Sequence, residues 1–333
     1  MGAFTSIYKK LLIVSALLGF FLVCSFILGI CIGSSGGAGE ALKALLGKGE
    51  PDTTLLVIIW KIRFPRVILA ATVGAVLSLG GLVFQALLRN PLAEPYILGI
   101  SGGSAVGAIC GMFYGLSLFP GVTLTAFGGS ILTLALILGL TTGRAGLRKD
   151  SLLLGGVMMN AFCGAIIMFL ISLSQSSQVH HILFWLMGDL SMTEAERLPL
   201  LITVIPCFII IFMLARPMNL LLTGTEDAAS LGVNVRLISL VLLVTTSLMV
   251  SLVVCLSGLI GFVGLTIPHI FRLILGPDHR LLVPACILGG SSYLIICDLL
   301  ARSLPVEGEM PVGIITAIVG APLFIFLLWR VKK

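Results

Sequence analysis

The chain has 333 residues, of which 58% are hydrophobic and only 10% are charged, and its mean hydropathy is +1.19. A water-soluble fold cannot hide that much apolar surface, so the composition excludes a soluble domain and requires lipid as the solvent. The net charge of +6 does not indicate a nucleic-acid partner, because the basic residues stand singly between apolar runs and form no stripe along which a phosphate backbone could lie.

The first apolar run follows Lys9 and Lys10 and extends from Leu11 to about Ile32. It is too long for the core of a signal peptide and long enough to cross a bilayer, so we expect an uncleaved first helix. Similar runs recur with short breaks and predict an all-α polytopic protein with one membrane domain over residues 1–333. We expect about ten transmembrane helices, near 11–33, 66–88, 96–116, 119–141, 151–174, 195–215, 237–256, 259–275, 281–301 and 311–329.

Charge predicts the orientation of these helices. An even number of crossings places both termini on one side, and if that side is the cytoplasm, 13 of the 20 Lys and Arg residues lie inside, as the positive-inside rule favours. Arg63, Arg66 and Arg302 then fall on the outer face. They are either interfacial side chains that reach toward water or a cationic docking surface for an acidic partner.

Glycine recurs at every fourth position of the third predicted span, at Gly99, Gly103, Gly107 and Gly111. On a helix these positions form one slowly drifting stripe. Glycine allows two helix backbones to approach closely, so we expect the stripe to face another helix. A substrate path beside the stripe is the alternative role.

The polar segment 217–236 lies between two predicted spans on the cytoplasmic side. Thr225 can cap a short helix that has Glu226 and Asp227 in its first turn, and Gly232 can end it. The segment is either a simple connector or a helix that docks into a cleft of another protein.

Motifs for enzymatic chemistry are absent from the sequence. No P-loop, H-E-x-x-H or G-x-S-x-G pattern occurs, and the eight cysteines form no C-x-x-C pair. We therefore expect no enzyme activity, no metal site and no cofactor bound by this chain. His180 and His181 fall in a predicted outer loop, as a polar pair or as a contact for haem or metal. Asp298 inside a span is either functional or paired with Arg302 one turn away.

A series of short motifs runs in order along nearly the whole chain. They are R-F-P-R at 63–66, Q-A-L-L-R-N-P-L-A-E-P at 85–95, L-G-I-S at 98–101, W-L-M-G at 185–188, E-D-A-A-S-L-G at 226–232, G-L-I-G-F-V-G-L-T-I-P-H at 258–269, G-P-D-H-R at 276–280, P-V-G at 311–313 and G-A-P at 320–322. In this order and spacing they resemble the FecCD family, the permeases of type II ATP-binding-cassette (ABC) importers.

The resemblance implies a type II importer permease fold in a homodimer or a close heterodimer, with the substrate path along the dimer axis. It implies two separate ABC ATPase subunits that bind ATP and magnesium. These dock on the cytoplasmic coupling segment, which here comprises Glu226, Asp227, Ala228, Ala229, Ser230, Leu231 and Gly232.

The resemblance also implies a periplasmic or lipid-anchored substrate-binding protein whose acidic residues meet Arg63, Arg66 and Arg302. The cytoplasmic gate would include Asn90 and Leu92, with a second gating loop near 149–151, where the sequence departs from the family pattern.

The function expected from the resemblance is movement of an iron-siderophore, haem or cobalamin chelate across the inner membrane by alternating access. The cargo and the choice between homodimer and heterodimer stay open. From the residues alone, the alternative is an ion-coupled secondary transporter of a small solute, which would need no ATPase.

Overall fold

A computed structural model describes residues 2–33, 39, 53–143, 146–147, 149–191, 196, 198–305 and 308–331. These residues are mostly helical, apart from the two-residue strands β1 (Thr142–Gly143) and β2 (Gly146–Leu147), which pair antiparallel. The α-helices are α1 (Gly2–Cys31), α2 (Thr53–Ile58), α3 (Phe64–Leu88), α4 (Ile100–Phe113), α5 (Thr123–Thr141), α6 (Lys149–Leu173), α7 (Ser176–Leu186), α8 (Leu198–Leu201), α9 (Val204–Met213), α10 (Ala215–Thr223), α11 (Thr225–Ser230), α12 (Val235–Ser257), α13 (Val263–Leu275), α14 (His279–Ser303) and α15 (Val312–Val331).

The described residues contain ten apolar helical segments that correspond to the ten predicted spans. Six helices are long and apolar enough to cross a membrane, and the α8–α10 region adds one span that is bent by 49°. Three shorter apolar helices, α4, α13 and the first part of α15, complete the set. The prediction of an all-α polytopic membrane protein with about ten helices is therefore confirmed.

The second span begins earlier than the sequence predicts. Helical structure starts at Thr53 and continues through a π-helical turn, Ile59–Arg63, into α3, whereas the predicted start is residue 66. Pro65 lies at the first turn of α3, directly after the π-helical turn that carries the helix past it. The proline therefore fits inside one long segment instead of marking its beginning.

Helix α3 is the central element, since most of its side chains are buried. It packs antiparallel to α14: Arg66 pairs with Asp298 and, farther along, Gly74 lies against Gly290. A methyl group on either glycine would overlap the carbonyl group of the other, so the two backbones touch. This close approach is the packing that small residues permit between helices in lipid.

The glycine stripe of the third span lies mainly against α5. Gly103 contacts Thr133 and the backbone of Gly129, and Gly107 contacts the backbone of Thr125. Gly99 departs from the stripe, since it has a φ of +73° and precedes α4 as its N-cap.

The outer faces of α1 and α6 remain largely exposed and apolar. Leu12, Leu17 and Phe20 of α1 and Leu154, Met168 and Phe169 of α6 are exposed. In a membrane such faces meet lipid or another apolar protein surface. By contrast, all eight cysteines are free, and each is buried or half-buried, as the sequence predicts for small hydrophobic residues.

Candidate docking and gating sites

The arginines of the predicted docking surface lie together at one end of the molecule, in a buried ion-pair cluster. Arg66 Nε donates to Asp298 Oδ1 over 2.8 Å, and Arg302 Nε lies 3.1 Å from Asp298 Oδ2. The side chains of these three residues are at most 4% exposed. Asp298 therefore bridges two arginines, and its local pairing with Arg302 is only half of its role.

Two arginines of the cluster also bind the end of α1. Arg63 Nη1 donates to the carbonyl oxygens of Ile30 and Cys31, both at 3.1 Å, and Arg302 Nη2 donates to that of Gly29 at 3.1 Å. The last carbonyl groups of a helix lack partners within it, and cationic side chains stabilise them. In this conformation the three guanidinium groups are buried against α1 and Asp298, and their role in docking a partner stays a prediction.

Glu309, which sequence reasoning missed, completes the cluster. Its carboxylate forms an ion pair with Arg66 Nη1, and its side chain is 36% exposed. The residue follows Gly308, which has a φ of +75°, in the short connection between α14 and α15. No sequence signal marks Glu309, because its partner is 243 residues away in the chain.

The opposite end of the molecule carries the predicted coupling segment. Helix α3 is about 37 Å long at 1.5 Å per residue, and at its far end Arg89 Nε donates to the carbonyl oxygen of Leu221 over 3.0 Å. Leu221 belongs to α10, which leads directly into α11. The arginine cluster and the coupling segment therefore lie at opposite ends of the same helix.

A second set of contacts ties α10 to the start of α14. The side-chain oxygen of Asn219 accepts the backbone N–H of His279 over 2.8 Å, and its Nδ2 donates to Asp278 Oδ1 over 2.8 Å. Burial alone would raise the pKa of Asp278, but hydrogen bonds from Arg280 and Asn219 outweigh it and lower that pKa to about 2. Asp278 is therefore ionised at neutral pH and caps α14 as an anion.

Helix α11 forms as predicted in position but differs in its cap. It begins at Thr225, and the N-cap is Gly224 with φ 150° and ψ 156°, so the prediction that Thr225 caps the helix is wrong. Glu226 and Asp227 occupy the first turn and are exposed. The extended conformation of Gly224, which a side chain rarely adopts, turns the chain into the helix and makes a Thr225 cap unnecessary.

The C-terminal end of α11 is a Schellman motif. Gly232, with a φ of +84°, donates to Ala229 O over 3.0 Å, and Val233 donates to Ala228 O over 3.0 Å. Ala228 is fully buried, whereas Leu231 is 63% exposed. The segment is thus a capped helix that is anchored on one side and presents acids and an apolar side chain on the other.

The predicted gate residues lie in the turn that follows α3. Asn90 Oδ1 accepts the backbone N–H of Leu92 over 2.9 Å, and the Leu92 side chain is 47% exposed. Of the second gating loop, the structure describes the helical backbone from Lys149 onward, while the side chains of residues 149 and 150 lie outside the described part of the chain.

Beyond this turn the chain folds back into the helix bundle. Pro95 contacts Gly80 and Gly264, and the Tyr96 hydroxyl group both donates to Ile260 O over 2.9 Å and accepts from Ile260 N over 3.0 Å. Residues 258–262 are the break between α12 and α13. The short helical turn Pro95–Leu98, which follows the turn with Asn90, is therefore joined to this interrupted helix pair by direct hydrogen bonds.

The W-x-x-G motif, residues 185–188, also contacts the break between α12 and α13. A methyl group on Gly258 would overlap the carbonyl oxygen of Trp185, and Gly313 N donates to Gly188 O over 3.5 Å. We call this meeting of residues 185–188, 258–260 and 313 the central junction. It links α7, the α12–α13 break and the start of α15.

An apolar cavity of about 210 Å³ lies beside the central junction. His180 and His181 line it, and both belong to α7, so their predicted placement in a loop is wrong. The two imidazole rings are 6.2 Å apart, and His180 also packs 4.5 Å from the ring of Phe184. Within the described residues no group of three or more His, Cys, Asp or Glu side chains could hold a metal ion.

The fold and the two sites together define a multi-pass membrane permease. Its features are long apolar helices, close helix packing at glycines, a broken helix pair, and polar surfaces at opposite ends of the molecule. The model of the FecCD transport family matches residues 21–330, and the chain belongs to that family. It is the permease type of an ABC importer, as the sequence motifs predict.

Individual relatives cover nearly the whole chain. The chain is similar to the vitamin B12 import system permease protein BtuC of Klebsiella pneumoniae, with 38% identity over 93% of this chain and 91% of the relative. It is 39% identical to the hemin transport system permease protein HmuU of Yersinia pestis, over 95% and 96% of the two chains. It also resembles a solved metal-chelate type ABC transporter in an inward-facing conformation, with a TM-score of 0.84, 33% identity, and coverage of 95% and 98%.

Proposed function

We propose that this permease moves a metal chelate of the siderophore, haem or cobalamin class across the inner membrane, with both termini in the cytoplasm. The observation that carries the proposal is the placement of the arginine cluster and the coupling segment at opposite ends of α3. An importer needs these two surfaces on opposite sides, because its cargo arrives from outside and its energy source is inside. The relatives that import vitamin B12 and hemin support this class of cargo.

The energy source in this proposal is a pair of separate ABC ATPase subunits that bind ATP and magnesium and dock on residues 226–232. The exposed acids and Leu231 offer them a polar and an apolar contact, while buried Ala228 anchors the helix to the permease. Movement of α11 would pass through α10 to Arg89 and to the start of α14, since both are hydrogen-bonded to α10. Alternating access would then follow from rocking of α3 and α14 as a packed pair.

The gate in this proposal is the turn with Asn90 and Leu92. Tyr96, which follows that turn six residues after Asn90, is hydrogen-bonded to Ile260 in the central junction, so the gate and the broken helix pair would move together. The cavity lined by His180 and His181 lies beside the same junction, and at about 210 Å³ it is smaller than the pockets that hold drug-sized ligands. In this proposal the chelate itself therefore passes between two permease copies.

A second copy of the permease, or a close homologue, would complete the path. The exposed apolar face of α6 includes Leu154, Met158 and Phe162, which line a shallow groove together with Leu140 and Gly155. In this proposal the face packs against its counterpart in the second copy, and the chelate passes along the axis between them.

The outer partner is a periplasmic or lipid-anchored substrate-binding protein that docks through acidic residues at the arginine cluster. A carboxylate from that partner would be attracted by Arg63, Arg66 and Arg302. Because these arginines are buried in the structure, docking requires some rearrangement of the groups that cover them.

Transport in proteoliposomes tests the proposal. Vesicles that contain the permease with its ATPase should take up hemin, cyanocobalamin or a ferric siderophore under two conditions only. ATP must be present on the side of the membrane where the ATPase is bound, and the binding protein must be present on the opposite side. Accumulation that follows an ion gradient without ATP or the ATPase would instead establish the secondary transporter.

A further inference from the structure

Glu309 is the exposed member of an otherwise buried cluster. Its side chain is 36% exposed, whereas those of Arg66 and Asp298 are 4% and 1% exposed. The Glu309 carboxylate therefore lies between the Arg66 guanidinium and the exterior. Any other carboxylate that approaches Arg66 from outside meets Glu309 first.

We infer that an acidic partner docks here by carboxylate exchange, in which its carboxylate replaces that of Glu309 on Arg66. Glu309 is then the residue that sets the affinity of the arginine cluster for the partner. This inference rests on the proposed docking of a substrate-binding protein and adds what happens to the group that now occupies the site.

Geometry favours exchange over simple addition. Asp298 is shared between Arg66 and Arg302 and pairs with Arg66 Nε, whereas Glu309 pairs with Arg66 Nη1. Removing Glu309 without replacement would leave a buried guanidinium with one shared acid, which is costly. A partner carboxylate can reach Nη1 from outside only when Glu309 moves aside, and it then restores the ion pair that Glu309 gives up.

The segment around Glu309 connects the arginine cluster to α15, so a change at Glu309 can reach the central junction. Gly308 has a φ of +75° and no neighbouring atom within 4 Å of its would-be side chain, so Glu309 follows an unpacked turn. Met310 N is held by Ala301 O over 3.2 Å, and Gly313 N lies against Gly188 O. Release of Glu309 would therefore shift the start of α15 and change its contact with the central junction.

The variant Glu309→Gln tests the inference because it removes the competing carboxylate and keeps the size of the side chain. The full permease–ATPase complex in lipid nanodiscs would be titrated with its cognate substrate-binding protein. We expect Glu309→Gln to bind that protein at least about fivefold more tightly than the wild type, with faster association. Glu196→Gln, which removes an exposed acid outside both the arginine cluster and the coupling segment, should bind as the wild type does.

A double-mutant cycle with Arg66→Met separates exchange from a general charge effect. If Glu309 competes at Arg66, the gain from Glu309→Gln disappears when Arg66 is already replaced. An equal gain in both backgrounds would overturn the inference, as would unchanged affinity of the single variant. Absence of any binding by the wild type would instead contradict the proposed docking itself, so the two failures are distinguishable.

Discussion

Arg66 and Asp298 are 232 residues apart in sequence, yet their side chains form a hydrogen-bonded ion pair of 2.8 Å between α3 and α14. Asp298 also lies 3.1 Å from Arg302, so one carboxylate compensates two buried guanidinium groups. Because Arg302 in turn donates to the carbonyl oxygen of Gly29 near the end of α1, three helices meet at this aspartate.

Asp298→Ala should therefore destabilise the permease strongly. Removing one partner of a buried ion pair leaves uncompensated charge and costs about 3–5 kcal/mol. Thermal unfolding in detergent, followed by tryptophan fluorescence, should show a large drop in the midpoint. The combined variant Asp298→Leu with Arg66→Met and Arg302→Met should recover part of the loss, since it removes the carboxylate together with both guanidinium groups that it compensates. Full stability of Asp298→Ala would show that the cluster is not needed for the fold.

The burial of Arg66 beside Asp298 and Glu309 means that charge reversal at Arg66 is a poor test of docking. Charge reversal at Arg66 would place a third acid beside Asp298 and Glu309, so lost docking could reflect misfolding. The sequence placed Arg63, Arg66 and Arg302 at one face through their charge alone. It could not show their burial, because burial depends on Asp298, Glu309 and the end of α1, which only the tertiary packing brings to them.

The helices were predictable because lipid demands about 20 apolar residues per crossing, and those runs are visible in the sequence. The coupling helix was also predictable from its acids and Gly232. The central junction was not, since the hydrogen bonds between Tyr96 and Ile260 and the contact of Gly258 with Trp185 join segments without any periodic pattern. His180 and His181 were misplaced because a short amphipathic helix between polar residues looks like a loop.

Gly81→Ala should separate α3 from α13. A methyl group on Gly81 would overlap the backbone carbonyl of Gly264, and a backbone atom cannot turn aside as a side chain can. Overpacking of this kind costs about 1–3 kcal/mol, so the unfolding midpoint should fall. Gly128→Ala is the matched control, because no atom lies within 4 Å of its would-be side chain and its midpoint should change little. Equal midpoints for both variants would contradict this close helix contact.

Leu231→Ala should weaken the coupling of ATP hydrolysis to transport without unfolding the permease. Leu231 is 63% exposed, so it adds little to the fold, and under the proposed function it contacts the ATPase. We expect chelate uptake per ATP hydrolysed to fall at least about fivefold, because burying a leucine side chain in an interface contributes about 1.5–3 kcal/mol. Leu17→Ala, at an equally exposed leucine of α1, is the control and should transport normally. Unchanged coupling in Leu231→Ala would remove this side chain from the ATPase interface.

Glu94 should make the stability of the permease depend on pH. Burial raises the pKa of this carboxyl group, which lies between α3 and α4, from 4.5 to about 6. The folded state therefore binds the proton more tightly than the unfolded state, and the resulting stability is fully present below pH 4.5 and is lost as the pH rises through 6. The loss is at most about 2 kcal/mol, because one unit of pKa corresponds to 1.36 kcal/mol.

The variant Glu94→Gln isolates this contribution, since its side chain has the same shape and does not titrate. The difference in unfolding midpoint between Glu94→Gln and the wild type should be small at pH 5 and should grow in favour of the variant at pH 8. Glu226→Gln, at an exposed acid of α11, should show no such growth. A difference that stays constant from pH 5 to pH 8 would mean that the Glu94 carboxyl group is solvated as an ordinary surface acid, and that the turn between Asn90 and Pro95 is open to water in the folded permease.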